Sequence, residues 1–220
     1  MMLCMDMPRD LLHERFSGET LNPLLQWMNP PSLWRIDQAC SCLLMEPDRE
    51  TDFWQETHYG FRADNGHFLF AETRGDCTAT TAIHCYPSHQ YDQAGLMARF
   101  SAECWIKTSS EFEPNGPSHL GAVVTNRGFS DWSFQEFPYE QFQSGGGMAY
   151  CLRLRREGRD FLVEHAPAEA GPWNLMRVAR LVSDPEQLCQ IGLYACSPKG
   201  SGCRVEAKLL RIQAPWASPQ

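Results

Sequence analysis

Side chains that can bind or activate a ligand alternate with apolar ones along residues 105–113 of this chain. The odd positions hold an aromatic ring, an ammonium group, a hydroxyl and two carboxyls, in the order Trp105, Lys107, Ser109, Glu111 and Glu113. Apolar Ile106 and Phe112 are among the even positions. Because successive side chains of a β-strand point to opposite faces of a sheet, this spacing predicts a chemically active face opposite an apolar one.

The strand before it alternates in the same way. Its polar face holds Gln93, Met97 and Arg99, and its apolar face holds Leu96, Ala98 and Phe100. A three-residue hairpin loop over residues 101–103 would pair Arg99 with Trp105, Met97 with Lys107 and Gln93 with Glu111. A four-residue loop would mix the two sets, so the pattern favours the shorter loop. We therefore predict an open sheet face that gathers a ring, a cation, an amide and carboxylates.

Composition narrows the function classes. The formal net charge of −8 and the scattered lysines and arginines argue against nucleic acid, which is bound through clustered basic groups. Apolar runs stay short of the roughly 18 residues of a membrane helix, so we expect no membrane span. The chain shows no phosphate-binding or dinucleotide fingerprint, and His84 and His89 lack a third ligand at metal spacing. We expect neither a cofactor nor a metal.

The ten cysteines include no C-x-x-C pair, and residues 1–10 lack the basic and apolar regions of an export signal. We therefore expect a cytoplasmic protein in which all ten cysteines are free thiols.

Short β-rich runs separated by Gly, Pro, Asn or Asp dominate the chain and predict a sandwich or barrel. They lie near residues 33–45, 67–73, 77–86, 93–100, 105–113, 120–125, 131–137, 148–156, 159–165, 173–182, 188–196 and 203–213. Residues 64–66 and 157–159 are predicted hairpin turns, and residues 145–147 a glycine loop. Helical patterns are confined to residues 8–15 and 184–188. We expect one domain over residues 1–220.

Several sequence blocks carry a family resemblance. They are T-D-F-W-Q-E-T-H-Y-G at 51–60, Y-D-Q-A-G-L-M at 91–97, W-I-K-T-S-S-E at 105–111, V-V-T-N-R-G-F-S-D-W-S at 123–133, L-R-L-R-R-E-G at 152–158 and I-G-L-Y-A-C-S-P at 191–198. In these blocks, which span about residues 20–212, the chain resembles the regulation-of-enolase family. That family is a domain of unknown function. The resemblance implies an all-β, concanavalin A-like jelly-roll β-sandwich of two antiparallel sheets, and it supplies no catalytic residues.

In such a jelly roll the outer face of one sheet is concave, and the polar residues above would line it. The resemblance adds residues from neighbouring segments, which gives a predicted ligand site of Trp54, His58, Gln93, Arg99, Trp105, Lys107, Glu111, Asp131, Trp132 and Tyr194. Aromatic rings suit the C–H faces of sugars, and carboxylates, amides and lysine suit their hydroxyls. A carbohydrate or small sugar is therefore the expected ligand class, with a protein partner as the other ligand considered.

Two function classes stay open. The first is a non-catalytic binding or regulatory module. The second is a glycoside hydrolase or lyase, for which Glu111 and Glu113 are the catalytic candidates because they lie about 7 Å apart on one strand face. Pro114 suggests that the strand ends at Glu113, which would leave that carboxylate at the rim.

Overall fold

The computed structural model describes residues 8–139 and 147–215, and every regular element within these ranges is a β-strand. In chain order the strands are β1 (Arg9–Glu14), β2 (Gln26–Met28), β3 (Leu33–Asp37), β4 (Cys42–Glu46), β5 (Phe53–Gln55), β6 (Arg62–Asp64), β7 (His67–Thr73), β8 (Cys77–Tyr86), β9 (Gln93–Ser101), β10 (Cys104–Glu111), β11 (His119–Asn126), β12 (Phe129–Glu136), β13 (Met148–Glu157), β14 (Asp160–Ala166), β15 (Asn174–Arg180), β16 (Cys189–Cys196) and β17 (Arg204–Ala214). Within the described residues, no helix is long and apolar enough to span a membrane.

Two antiparallel sheets form the sandwich, which confirms the predicted jelly-roll class. The eight-stranded sheet has the order β15-β14-β13-β8-β17-β4-β3, with β1 paired to β17. The seven-stranded sheet has the order β12-β11-β10-β9-β16-β7-β2. Strands β5 and β6 make a separate two-stranded ribbon.

The space between the two sheets is an apolar core. Leu96 and Ile106 of the seven-stranded sheet are buried there with Leu152 and Val205 of the other sheet. Burial of such a side chain stabilises the fold by about 1.5–3 kcal/mol.

Two polar side chains that face this core, Ser110 and Tyr150, bond to each other. Ser110 donates to the Tyr150 hydroxyl at 2.7 Å, and that hydroxyl donates to the Ala94 carbonyl at 2.8 Å. Since Tyr150 belongs to the opposite sheet, this buried chain of hydrogen bonds also joins the two layers.

The hairpin between β9 and β10 has the predicted register. Arg99 pairs with Trp105, Met97 with Lys107 and Gln93 with Glu111. Ile106 packs in the core between the sheets, whereas Trp105 belongs to a second cluster on the other side of its sheet. The predicted division of the hairpin into two faces is therefore confirmed.

The sequence predicted an open outer face on the seven-stranded sheet. In the structure this face is covered instead. Phe53 and Trp54 of the β5–β6 ribbon pack over Met97, Trp105 and Tyr194 and form a second buried cluster. The ribbon is held to the sheet at its end, where the backbone N–H of Gln55 donates to the Ser130 hydroxyl at 2.9 Å. A cavity remains at one end of this face.

Both predicted helices are wrong. Residues 8–15 contain strand β1, which pairs with the C-terminal half of β17, so sheet pairing overrides the local pattern. Residues 184–188 form a turn in which the Arg156 guanidinium takes the carbonyls of Asp184, Pro185 and Gln187 as acceptors. Those carbonyls would otherwise be available for helical hydrogen bonds.

Two turns were predicted, and one is confirmed. Residues 158 and 159 connect β13 to β14, and Glu157 pairs with Asp160. Residues 65 and 66 instead connect β6 of the ribbon to β7 of the seven-stranded sheet, so they cross between sheets. The predicted glycine loop falls mostly outside the described residues, since only Gly147 is within them.

The cysteine prediction is wrong for one pair. Cys40, in the turn between β3 and β4, and Cys42, the first residue of β4, form a disulfide with a Cα–Cα distance of 5.5 Å. Seven other cysteines within the described ranges are free and buried. Cys4 lies outside the described residues.

Candidate functional site

A cavity of about 230 Å³ remains at the uncovered end of the outer face. We call it the aromatic pocket. Its lining combines aromatic rings with a small number of polar groups, and consists of Asp52, Trp54, Tyr59, Phe61, Tyr91, Gln93, Lys107, Glu111, Val123, Trp132, Pro198 and Lys199.

A buried ammonium group forms the floor of the pocket. Lys107 is 2% exposed. Its Nζ donates to Asp52 Oδ1 at 3.1 Å and to Gln93 Oε1 at 2.8 Å. Burial opposes the charge on Lys107, but the nearby acidic groups Asp52, Cys196 and Glu111 together outweigh burial and raise the pKa of the lysine. Lys107 is therefore a fixed cation at neutral pH.

The amide of Gln93 is held in one orientation. Its Oε1 accepts from Lys107 and from the Tyr194 hydroxyl, at 2.8 Å and 3.2 Å. Its Nε2 donates to the Tyr91 carbonyl at 3.1 Å. The floor is thus preorganised before any ligand arrives, which lowers the ordering cost of binding.

Glu111 is the exceptional group of the site. Its side chain is buried, with 7% exposure, yet within residues 8–139 and 147–215 no group donates a hydrogen bond to its carboxyl. Burial raises the pKa of Glu111 to about 7, a rise that Lys107 opposes and Asp52 reinforces. The carboxyl can therefore exchange a proton near neutral pH, and it faces a cavity that has room for a partner.

Loops supply most of the aromatic wall. Trp54 and Tyr59 meet edge to face with centroids 5.4 Å apart, and Phe61 follows Tyr59 at 6.2 Å. On the other side, Asp92 Oδ2 accepts the amides of residues 88 and 89 and so fixes the loop that presents Tyr91. Flat rings on several sides of a polar floor can hold the apolar faces of a ring-shaped ligand.

Residues 27–215 match the family model described as Protein of unknown function (DUF1349). The chain belongs to this family. It is 33% identical over 189 residues to Regulation of enolase protein 1 from Saccharomyces cerevisiae, a match that covers 86% of this chain and 89% of the yeast protein. The predicted resemblance is confirmed.

Solved structures agree on the fold of this DUF1349 protein. A Saccharomyces cerevisiae protein described as functionally unknown is similar, with a TM-score of 0.77, 30% identity, and coverage of 88% of this chain and 98% of that one. A xylan β-1,4-xylosidase from Bacillus halodurans has a TM-score of 0.69 at 12% identity, with coverage of 92% of this chain and 39% of the enzyme chain. At that identity the likeness to the enzyme shows the fold alone.

Five of the predicted site residues of this DUF1349 protein lie in the aromatic pocket: Trp54, Gln93, Lys107, Glu111 and Trp132. Lys107 and Glu111 were expected on an exposed face and are instead buried, because the β5–β6 ribbon covers their sheet.

Three others lie on the predicted sheet face but away from the pocket lining. Trp105 and Tyr194 are fully packed in the second cluster. Arg99 makes a two-pronged pair with Asp64, with both nitrogen–oxygen distances at 2.7 Å. These three residues pack behind the pocket or hold the ribbon, and they do not line the cavity.

The structure does not bring His58 and Asp131 into the lining of the aromatic pocket. His58 is exposed and meets Tyr59 edge to face at a centroid distance of 4.8 Å, outside the lining. Asp131 adjoins Trp132 on β12, so the two must point to opposite faces, and Asp131 pairs with Arg177 at 3.0 Å.

The catalytic pair Glu111 and Glu113 is not formed in the pocket. Glu113 follows the end of β10, and its carboxylate accepts from Gln90 at 2.8 Å. The second carboxylate in the lining is Asp52. Asp52 and Tyr91 belong to sequence blocks that carried the family resemblance, which was the available signal for them. Tyr59 belongs to one of these blocks as well, whereas Phe61 and Lys199 come from irregular segments outside the blocks, so neither a block nor a period marked them.

The described residues contain no cluster of three or more metal-binding side chains.

Proposed function

We propose that the protein binds a single sugar ring in the aromatic pocket and acts as a binding or regulatory module. The observation that carries this proposal is the unpartnered Glu111 carboxyl, buried among rings beside the fixed Lys107 and Gln93.

The size of the cavity supports a small ligand. Pockets for drug-sized molecules are about 300–1,000 Å³, and the aromatic pocket is smaller, at about 230 Å³. A monosaccharide, or the terminal ring of a longer saccharide, fits this scale.

The floor offers the mixture of donors and acceptors that hydroxyls use. The Lys107 ammonium has three N–H groups, of which two donate to Asp52 and Gln93. A ligand hydroxyl can accept the third and donate its own proton to Glu111. Since each sugar hydroxyl both donates and accepts, neighbouring hydroxyls suit this floor.

The walls supply the complementary apolar contact. Trp54 and Trp132 both line the pocket, and a tryptophan face packs well against the C–H face of a sugar. The name of the yeast relative describes a regulatory role for that protein. A small-molecule-binding module could serve a role of that kind.

Isothermal titration calorimetry with mono- and disaccharides tests the proposal. For any saccharide that binds the wild type, Trp132→Ala should lower the affinity about tenfold. This corresponds to about 1.4 kcal/mol of lost aromatic contact. Phe129→Ala is the matched control, because Phe129 lies on the same strand but is exposed and outside the lining. Failure of every saccharide to bind, or equal binding by both variants, would contradict the proposal.

A second candidate is glycoside cleavage, which is favoured by one specific observation. Glu111, with a pKa of about 7, could donate a proton to a leaving group, and Asp52 lies in the same pocket. However, Asp52 is paired with Lys107, so it is less free to act as a nucleophile or base. Release of nitrophenol from aryl glycosides by the wild type but not by Glu111→Gln would favour this candidate over simple binding.

We also propose a cytoplasmic location, supported by the seven buried free thiols. Thiol titration of the protein unfolded without reductant should find at least these seven, and a count near two would contradict the proposal.

A further inference from the structure

We propose that the sugar bound in the aromatic pocket carries a protonated amino group, and that this ammonium lies against the Glu111 carboxylate. The inference rests on the proposed function, namely that the pocket takes a single sugar ring. It names the chemical class of that sugar.

The charges of the floor do not balance. Asp52 and Glu111 contribute two carboxyls, whereas Lys107 contributes one ammonium and lies 3.1 Å from Asp52. In the part of the chain that the structure describes, no cationic nitrogen lies within 4.0 Å of the Glu111 carboxyl. The floor of the pocket, with both carboxyls ionised, is therefore short of one positive charge.

Neighbouring titratable groups do not supply that charge. His119 lies directly opposite Glu111 in the β10–β11 pairing, but burial lowers its pKa, so it is neutral at pH 7. The other facing groups, which burial keeps protonated and neutral, are Tyr91, Tyr194 and Cys196. Lys199 is exposed at the rim, with its Nζ 5.9 Å from the Tyr91 centroid, where solvent and salt screen it.

The Glu111 carboxyl and the rings around it favour a ligand ammonium over a neutral ligand hydroxyl as the group that contacts Glu111. A hydroxyl would give Glu111 one hydrogen bond, whereas an ammonium gives it a stronger, charge-assisted bond and a counter-charge. The rings of Trp54, Tyr91 and Trp132 line the same space. Their faces attract cations within about 6 Å of the ring centre.

Calorimetric titrations with glucose, glucosamine and N-acetylglucosamine at pH 7 test the inference. Glucosamine should bind at least about tenfold more tightly than glucose, the gain expected when a charge-assisted bond replaces a neutral one. N-acetylglucosamine, which keeps the nitrogen but lacks its charge, should lose that advantage. Binding of glucosamine should also release protons, since the ammonium favours ionised Glu111, and titration in two buffers of different ionisation enthalpy measures this release.

Two variants locate the effect. Glu111→Gln should bind glucose and glucosamine with similar affinity and release no proton. Glu113→Gln is the matched control, because Glu113 is a carboxylate outside the pocket, and it should keep the preference for the amine. Thermal melting of each variant checks folding, and the proton release by the wild type stands independently of any variant.

Each outcome bears on a different claim. Equal affinity of the wild type for glucose and glucosamine would overturn the inference and leave the proposed function standing. Preference for the amine that survives in Glu111→Gln would overturn the assignment to Glu111. If none of the three sugars binds, the inference is wrong, and the wider titration with mono- and disaccharides decides the proposed function separately.

Discussion

Replacing Glu111 with glutamine should change the pH dependence of stability in a specific direction. The folded protein raises the pKa of Glu111 from its ordinary value of 4.5 to about 7, mainly through burial. Between these two pH values the folded protein keeps the proton while the unfolded chain has lost it. Folding is then coupled to proton uptake, so stability falls as pH rises through this window and levels off above it.

The size of the effect follows from the two pKa values. Each pH unit in the window removes about 1.4 kcal/mol from the free energy of unfolding. Across the window from 4.5 to about 7, the ionised carboxyl therefore costs the wild type about 3 kcal/mol. Glutamine has a similar shape and does not titrate, so Glu111→Gln should become more stable relative to the wild type by this amount on going from pH 4.5 to pH 8.

Urea unfolding followed by tryptophan fluorescence at several pH values from 4.5 to 8 measures this difference. Ile106→Val is the control, since it removes a buried methyl group on the same strand and should cost about 1 kcal/mol at every pH. A difference between wild type and Glu111→Gln that stays constant over the pH range would refute the reasoning. It would mean that the carboxyl finds a partner or water in the folded protein.

Three further variants test the supporting contacts. Lys107→Met should lower the free energy of unfolding, measured in urea, by about 3 kcal/mol because it leaves Asp52 without its counter-ion. Adding Asp52→Asn to this variant should restore part of the lost stability. Arg99→Leu, which removes the pair with Asp64, should cost about 2 kcal/mol but leave saccharide affinity in calorimetry unchanged. Tyr150→Phe should lower the free energy of unfolding by about 1–2 kcal/mol, since the buried Ala94 carbonyl and Ser110 hydroxyl lose a partner. Unchanged unfolding in any of these variants would contradict the role given to its contact.

Local alternation was sufficient to predict the β9–β10 hairpin. Its strands are 9 and 8 residues long, and a one-residue slip would have moved Ile106 out of the core, so the pattern determines the register. Strands of three residues, such as β2, β5 and β6, are too short to show a period. The ribbon that covers the sheet face was therefore invisible in the sequence, and Lys107 was expected to be exposed.

Parts of the pocket were predictable and parts were not. Trp132 and Asp131 are neighbours on one strand, so strand alternation alone excludes that both face the pocket. By contrast, Tyr59 and Tyr91 reach the pocket from a turn and a loop. Each of these segments contains a residue with a positive φ, which is Tyr91 itself at 67° and, in the turn, His58 at 64°. Such backbone conformations depend on tertiary contacts, here the anchoring of one loop by Asp92.

Two buried charges on one strand differ in what the fold provides for them. Lys107 receives the Asp52 carboxylate and the Gln93 amide oxygen, and its charge is stabilised by the chain itself. Glu111, four residues further along the same strand and on the same face, receives no hydrogen-bond donor from the described residues. Because an ionised, desolvated carboxyl without a partner opposes folding, an amide of the same shape would make a more stable protein at neutral pH. Among the described residues, the charge of Lys107 favours the ionised form of Glu111 but no group donates a hydrogen bond to it, so a donor on a molecule that enters the pocket would stabilise that form further.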